Sequence, residues 1–402
     1  MFFDVISLVL GGIKYMDSFK YLSRNFLGIC LSSFLYFGSF YLLMPVLPIF
    51  VDYLGGTTSQ IGLVTGTFTV SSVFFRPYFG KLTCLYGPKR FLLIGAALFA
   101  LPFIAYGFVT SVELLYPLRL FHGLAHGVYL AASSTYIANL APDHRRGEVI
   151  GVFGVMNVTS MALCPALGTF IISATNNFSI LFYCGVLMAA VALIAISIID
   201  DQHTTNPENC HVSIKTVFFR KPVLVASLTL CTAASAYGAI ITFLPVYAPL
   251  KGIYNIGLFF TAYAIFTLLS RVFVGRMSDI YGRYKVILPF TCLIIIATGL
   301  LTVMNSVYIM ILVAAFFGLG FGAFMPTLNA YIVDEVSPIE RGSALAVFTS
   351  FMDVGISLGA IVFGVIGEFF GYATMFGIAA GFVILGLILF AIGGRSNFKA
   401  SF

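Results

Sequence analysis

Charge is what this 402-residue chain has least of: 9% of its residues are Asp, Glu, Lys or Arg, against about 25% in soluble globular proteins. That scarcity excludes a soluble enzyme, a nucleic-acid binder and a disordered chain. Also missing are a Walker loop and the HExxH and GxSxG patterns of hydrolases, so neither an ATP-driven pump nor a membrane enzyme is expected. His122 and His126 lack the Glu that would make them a zinc pair. The seven cysteines form no CxxC pair and show no disulfide spacing. Cys30, Cys84, Cys164, Cys184, Cys231 and Cys292 sit mostly inside apolar runs and read as small packing residues. Cys210, with His203 and His211, falls in a polar loop that reads as a solvated linker. No cofactor and no metal site is expected.

What the chain has instead is apolar length, with 60% hydrophobic residues and 43 phenylalanines. Continuous apolar runs fall near 26–51, 60–80, 91–111, 114–138, 149–173, 178–199, 223–249, 255–274, 286–304, 307–332, 343–366 and 372–393. Each is close to the ~20 residues a helical span needs. Their continuity excludes an outer-membrane barrel, whose strands alternate apolar and polar residues. The expected fold class is therefore all-α: a polytopic membrane protein of twelve transmembrane helices in two six-helix bundles. Residues 1–23 are expected to be an N-terminal cytoplasmic or interfacial segment, with Met16 as an alternative start. A six-helix bundle at 24–199, a central cytoplasmic loop at 200–221, a second bundle at 222–394 and a tail at 395–402 complete the division.

Basic residues orient such a chain, because Lys and Arg accumulate on the cytoplasmic side. With both termini cytoplasmic, all of the 21 Lys and Arg fall at cytoplasmic ends and loops except Arg119 and Lys251. The net charge of +6 thus marks topology and not an acidic partner. The two halves also repeat. One gapless shift aligns Arg76 with Arg271, Gly80 with Gly275, Gly87 with Gly282, Arg90 with Lys285, Gly123 with Gly318, Gly127 with Gly322 and Tyr136 with Tyr331. Duplicated halves of this kind place a substrate site at their interface, near the membrane midplane.

The connection after the second span reads RPYFGKLTCLYGPKR and that after the eighth reads RVFVGRMSDIYGRYK. Both read as tight cytoplasmic turns with basic anchors. Gly275-x-x-x-Asp279-x-x-Gly282-Arg283 resembles the signature loop of the major facilitator superfamily, and the likeness extends over the whole chain. Arg119-x-x-His122-Gly123 is similar to the family's fourth-span motif, with His for Gln. Cys164-Pro165-Ala166-Leu167-Gly168 resembles the fifth-span stretch of proton-driven exporters with two glycines lost. MPVLPIF at 44–50 looks like the drug:proton antiporter branch. The resemblance implies a charge relay among Asp279, Arg283 and Asp334 that latches the cytoplasmic side. Cys84, Pro88 and Asn139 stand at the matching positions, so the latch is expected to be asymmetric, with Gly80, Gly87 and Arg90 keeping only its frame.

Arg119, His122, His126, Tyr129 and Ser133 fall within about 80° of one another on an α-helix. An arginine facing lipid costs at least ~3 kcal/mol, so this stripe must face a wet cavity or protein. The resemblance implies a cavity lined by the first, fourth, seventh and tenth spans. Arg119, Tyr129, Ser133, Tyr36, Ser39, Ser235, Thr242, Phe317, Phe321 and Phe324 are then the substrate-cavity candidates. Candidates for proton coupling are His122, His126, Asp353 and Asp52. Histidine titrates near neutrality, Asp353 is an acid deep in the eleventh span, and Asp52 lies at the cavity mouth. Alternatively the histidines only hydrogen-bond between helices, and Asp353 pairs with Arg76 or Arg119. The expected function is proton-coupled export of a small drug-like or metallophore-like solute by alternating access. Alternatives are a proton-coupled uptake symporter of an organic anion, and a non-transporting sensor on the same fold. Expected partners are substrate, protons and membrane lipid, for a monomer in the inner membrane.

Overall fold

The computed structural model describes residues 23–141, 146–202, 217–337 and 340–395. Most of the N-terminal segment, the central loop with Cys210, His203 and His211, and most of the tail lie outside the described residues. Among the described residues the chain is helical throughout, with twelve spans. The first is Arg24–Leu43 continued by Val46–Tyr53, interrupted where Pro45 offers no N–H to the helical ladder. Thr58–Tyr86, Pro88–Tyr106, Leu115–Leu140, Arg146–Thr175 and Phe178–Ile198 complete one half. Lys221–Leu250, Gly257–Tyr281, Arg283–Leu300 and Val307–Glu335 follow in the other. The stretch Arg341–Gly393 supplies its last two spans, two helices that meet at the non-helical Gly371 (φ 80°).

Eight helices are long and apolar enough to cross a membrane on length and composition alone, one of them being the 51-residue stretch that holds two spans. Among the described residues the second and fourth spans fall short of that measure. They are the spans that carry Arg76 and Arg119.

The repeat read from sequence is also a repeat of backbone. Gly87 and Gly282 end the second and eighth spans with nearly the same dihedrals, φ 89° and ψ 141° against φ 86° and ψ 144°. That region is strained for any residue with a β-carbon, which accounts for a glycine at both turns. Gly123 and Gly127 let the fourth span touch the second at Phe68 and Ser72, and Gly318 and Gly322 let the tenth touch the eighth at Tyr263, Thr267 and Ser270. Helices in lipid associate through such close backbone approach.

Two expectations need correction. The stretches RPYFGKLTCLYGPKR and RVFVGRMSDIYGRYK are not mainly turns: the helices run on to Tyr86 and Tyr281, and only Gly87 and Gly282 break them. Gly80 and Gly275 are therefore helical. Arg76 and Arg271 sit ten residues before those ends, about 15 Å along the axis at 1.5 Å per residue, and do not belong to the surface anchors. Hydropathy ends a span at its first charges, whereas the helix continues because packing partners cover them. The second correction concerns Cys84, which is disulfide-bonded and so is not a free packing thiol like Cys30, Cys164 and Cys231.

Candidate functional site

The polar stripe of the fourth span is folded into its own half and is not presented to an open cavity. Arg119 is 4% exposed, His122 0% and His126 7%. Arg119 donates through Nε to the Val64 carbonyl (3.3 Å) and through Nη1 to the Tyr106 hydroxyl (3.4 Å). Its guanidinium also lies 4.3 Å from the Phe68 ring centroid. Tyr106 in turn pairs with His122 Nδ1 at 3.1 Å, while His122 Nε2 is buried without a partner. One turn on, His126 Nδ1 meets the Tyr36 hydroxyl at 3.2 Å. Tyr36 stacks on Tyr129 with centroids 3.6 Å apart, and Tyr129 pairs with Ser32 at 3.0 Å and Ser33 at 3.2 Å. Among the described residues Arg119 has no carboxylate partner.

Several expected hydrogen-bonding groups are turned to their own backbones. Ser39 donates to Tyr36, Ser133 to Leu130 and Ser235 to Thr232, all at carbonyl oxygens. Thr242 differs, with a buried hydroxyl that has no partner. On the tenth span Phe317, Phe321 and Phe324 are all buried, and Tyr237 stacks on Phe321 at 5.2 Å.

The two halves meet along the second and eleventh spans and along the fifth and eighth. From the face opposite the basic one, Tyr372 pairs with Thr58 at 3.1 Å and Glu368 accepts from the Ser59 N–H at 2.8 Å. Deeper, Ser357 donates to the Gly66 carbonyl at 3.1 Å. The series ends at Arg76 and Asp353, whose Nη2 and Oδ2 are 2.6 Å apart. Among the described residues no hydrogen bond joins the halves on the basic side of this pair. Hydrogen bonds from Ser59, through hydroxyl and N–H, and from Thr57 hold the exposed Glu368 carboxyl below its ordinary pKa. Asp52 is exposed on the same face.

On the basic face of the second half Asp279, Arg283 and Asp334 come together. Arg283 donates to Asp279 at 2.5 Å and to Asp334 at 3.2 Å. The first half fills the matching place with the start of the central loop. Asn139 donates to the Gln202 carbonyl at 2.7 Å, Tyr136 to the Asp200 carbonyl at 2.9 Å, and Asp201 accepts from the Lys89 N–H at 3.3 Å. Arg90 is exposed beside them. In the fifth span, Gly168 abuts the Leu42 carbonyl and Cys164 borders Gly38. With Pro165 inside the helix, the motif works as a packing surface between the first and fifth spans.

Residues that the sequence reading passed over are Tyr106, Tyr237, Tyr263 and, as deep charges, Arg76 and Arg271. The repeat alignment of Arg76 with Arg271 was the available signal for the last two.

Twelve helices in two duplicated halves, joined through a charge pair inside the bundle, form the architecture of a membrane transporter. The sequence profile of the Major Facilitator Superfamily matches residues 29–255 and 250–396, and the chain belongs to that family. It is a multi-pass membrane transporter and not an enzyme. Relatives include a staphylopine export protein of Staphylococcus aureus, 24% identical over 377 residues, covering 90% of this chain and 94% of that protein. A multidrug resistance protein MdtG of Salmonella paratyphi A is 24% identical over 380 residues, covering 91% and 94%. Among solved structures, the nucleoside transporter NupG (D323A mutant) is similar with a TM-score of 0.76 at 16% identity, over 92% of this chain and all of that one.

Proposed function

We propose that this transporter exports a small organic solute in exchange for protons, as a monomer in the inner membrane with both termini in the cytoplasm. The basic residues support that orientation, which makes the face of Glu368 and Asp52 the outer one. The observation that carries the coupling is the Arg76–Asp353 pair, an acid within the bundle that bridges the two halves.

A deprotonated Asp353 binds Arg76 and ties the second span to the eleventh. A proton taken up on Asp353 removes the negative charge, and with it the attraction that joins the halves at that depth. That proton comes from the outer side while the halves are arranged open to it, and rocking back to the outward-closed arrangement releases it to the cytoplasm and re-forms the pair. A carboxylate in such surroundings is stable only when paired or protonated, so the two states of the acid select two arrangements of the halves. Arrangement of the halves in contact along the outer part of the second and eleventh spans corresponds to an outward-closed state. Arg119, with His122 and His126 beside it, is the second site on this reading. The unpartnered His122 Nε2 is free to take a proton or a substrate hydrogen bond. Export, and not uptake, is supported by the relatives named for export and drug resistance and by the Cys164-Pro165 stretch.

Everted membrane vesicles carrying the full chain test this. With a quinolone as probe and a gradient acid inside, the expected result is gradient-dependent accumulation in the vesicles that Asp353→Asn abolishes. Accumulation that survives collapse of the proton gradient, or full coupling in Asp353→Asn, would remove the proposal.

A further inference from the structure

Arg76 and Arg271 occupy the same place in the two halves, yet only one of them is neutralised. Arg76 holds Asp353. The residue that the repeat aligns with Asp353 is Val158, and no hydrogen bond or ion pair joins Arg271 to a described residue. Its Nε is buried and unpartnered. Arg271 is half-buried, and a guanidinium shielded from most of the solvent without an anion is costly.

The surroundings of Arg271 are equally unsatisfied. Tyr263, Thr267 and Arg271 follow at i, i+4 and i+8 on the eighth span, on one face, and arginine side chains lean toward the helix N-terminus, here toward Tyr263. Tyr263 lies within electrostatic reach of Arg271. The hydroxyls of Tyr263 and Tyr237 are both buried with no hydrogen-bond partner, in residues only 3% and 5% exposed. Buried hydroxyls are nearly always satisfied in a folded protein. The Tyr237 ring lies 6.1 Å from that of Tyr263, whose hydroxyl reaches at most Thr267 on its own helix, so the group next to Arg271 lacks an acceptor of negative charge. The other half approaches the same spot through Tyr41, which lies within electrostatic reach of Tyr263 and Tyr237 and donates to Asn157 at 3.2 Å.

We infer that Arg271, Tyr263 and Tyr237 form an anion site between the halves, which takes the carboxylate of an organic acid with an aromatic body. Two tyrosine O–H groups and the Arg271 N–H donate to the carboxylate oxygens. The rings of Tyr237, Phe317 and Phe321, stacked at 5.2 to 6.2 Å, receive the aromatic part. The site stands apart from Arg119, whose guanidinium is engaged within the first half. It rests on the transporter reading but on neither its direction nor its coupling ion.

Purified full-length protein in detergent, with melting followed against ligand concentration, tests the assignment. The probes are 4-phenylbutyrate and salicylate, each against its neutral amide. At least one carboxylate is expected to bind tenfold or more tightly than its amide. Arg271→Gln should lose that preference by at least tenfold while melting no lower than wild type when empty, because it deletes an unpaired charge. Arg271→Lys should retain part of the preference. Equal effects of acid and amide for both pairs, or a preference undiminished in Arg271→Gln, would overturn the assignment. Vesicle transport reports separately on export and coupling, so failure of those leaves the binding result readable.

Discussion

Removing one member of the Arg76–Asp353 pair should cost more than removing both. The Nη2 and Oδ2 atoms are 2.6 Å apart, and the side chains are 22% and 21% exposed. Loss of one partner from a fully buried pair costs about 3–5 kcal/mol, because the other charge is stranded, whereas exposed pairs contribute about 0–1 kcal/mol. With a fifth of each side chain still accessible, about 2–3 kcal/mol is expected for Asp353→Asn or Arg76→Gln alone. The double variant strands nothing and should recover most of that loss, leaving a coupling energy of about 2 kcal/mol. Since the pair bridges the halves, the same 2–3 kcal/mol changes the balance between arrangements by roughly 30- to 150-fold. The assay is a double-mutant cycle on unfolding of the detergent-purified chain. Spin-label distances across the basic ends of the second and eleventh spans report the change of arrangement. The charge-swapped variant, Arg76→Asp with Asp353→Arg, should restore both readouts. Additive losses with coupling below about 0.5 kcal/mol would refute the bridging role.

Glu368 accepts from the first turn of the second span, and its pKa is depressed. Its contribution is therefore complete above the ordinary Glu value of about 4.3 and is lost as pH falls through the lower folded value. Spin-label distances across the outer ends should hold steady from pH 8 to 5 and widen only in stronger acid, with Glu368→Gln widened throughout. Asp279 and Asp334 are 66% and 56% exposed, so Asp279→Asn should change unfolding by no more than about 1 kcal/mol yet cripple transport. Asn139→Ala, at the place where the first half lacks the relay, should leave most transport intact; equal losses would count against an asymmetric latch. A β-carbon on Gly123 would lie 2.0 Å from the Phe68 carbonyl oxygen. Gly123→Ala should therefore cost about 1–3 kcal/mol by overpacking, seen as a lower melting temperature, and Gly154→Ala, with open space around it, should not. The double variant His122→Gln with His126→Gln should weaken proton-driven efflux, and full coupling in it would exclude both rings.

The span pattern and the duplication were legible in the sequence because both rest on local features. Twenty-residue apolar runs are set by bilayer thickness, and the repeated glycines sit where backbones touch. The turn at Gly87 and its copy at Gly282 were visible for the same reason. The depth of Arg76 was not. A hydropathy reading ends a helix at its first charges, and the partner that lets the helix continue, Asp353, is supplied from the other half of the chain. Tyr106 was hidden in a similar way, at the end of a span otherwise ordinary, until the fold brought it against Arg119 and His122.

The stripe on the fourth span shows the limit of periodicity more sharply. Helical spacing placed Arg119, His122, His126 and Tyr129 on one face, and the cost of facing lipid forced that face inward. Both steps hold in the structure, but neither distinguishes a wet cavity from a packed interface. The discriminating quantity is the balance of donors and acceptors around each group. Tyr106, Tyr36, Ser32 and Ser33 answer most of the stripe from within its own half, whereas Tyr237, Tyr263 and Arg271 remain unanswered between the halves. In a bundle that works by moving one half against the other, unanswered polarity at the moving interface is where a solute can bind differently in the two arrangements. A group satisfied within one half is carried through the motion unchanged. Differential binding is the only means by which a ligand can shift such an equilibrium, which places the weight of solute recognition on the interface.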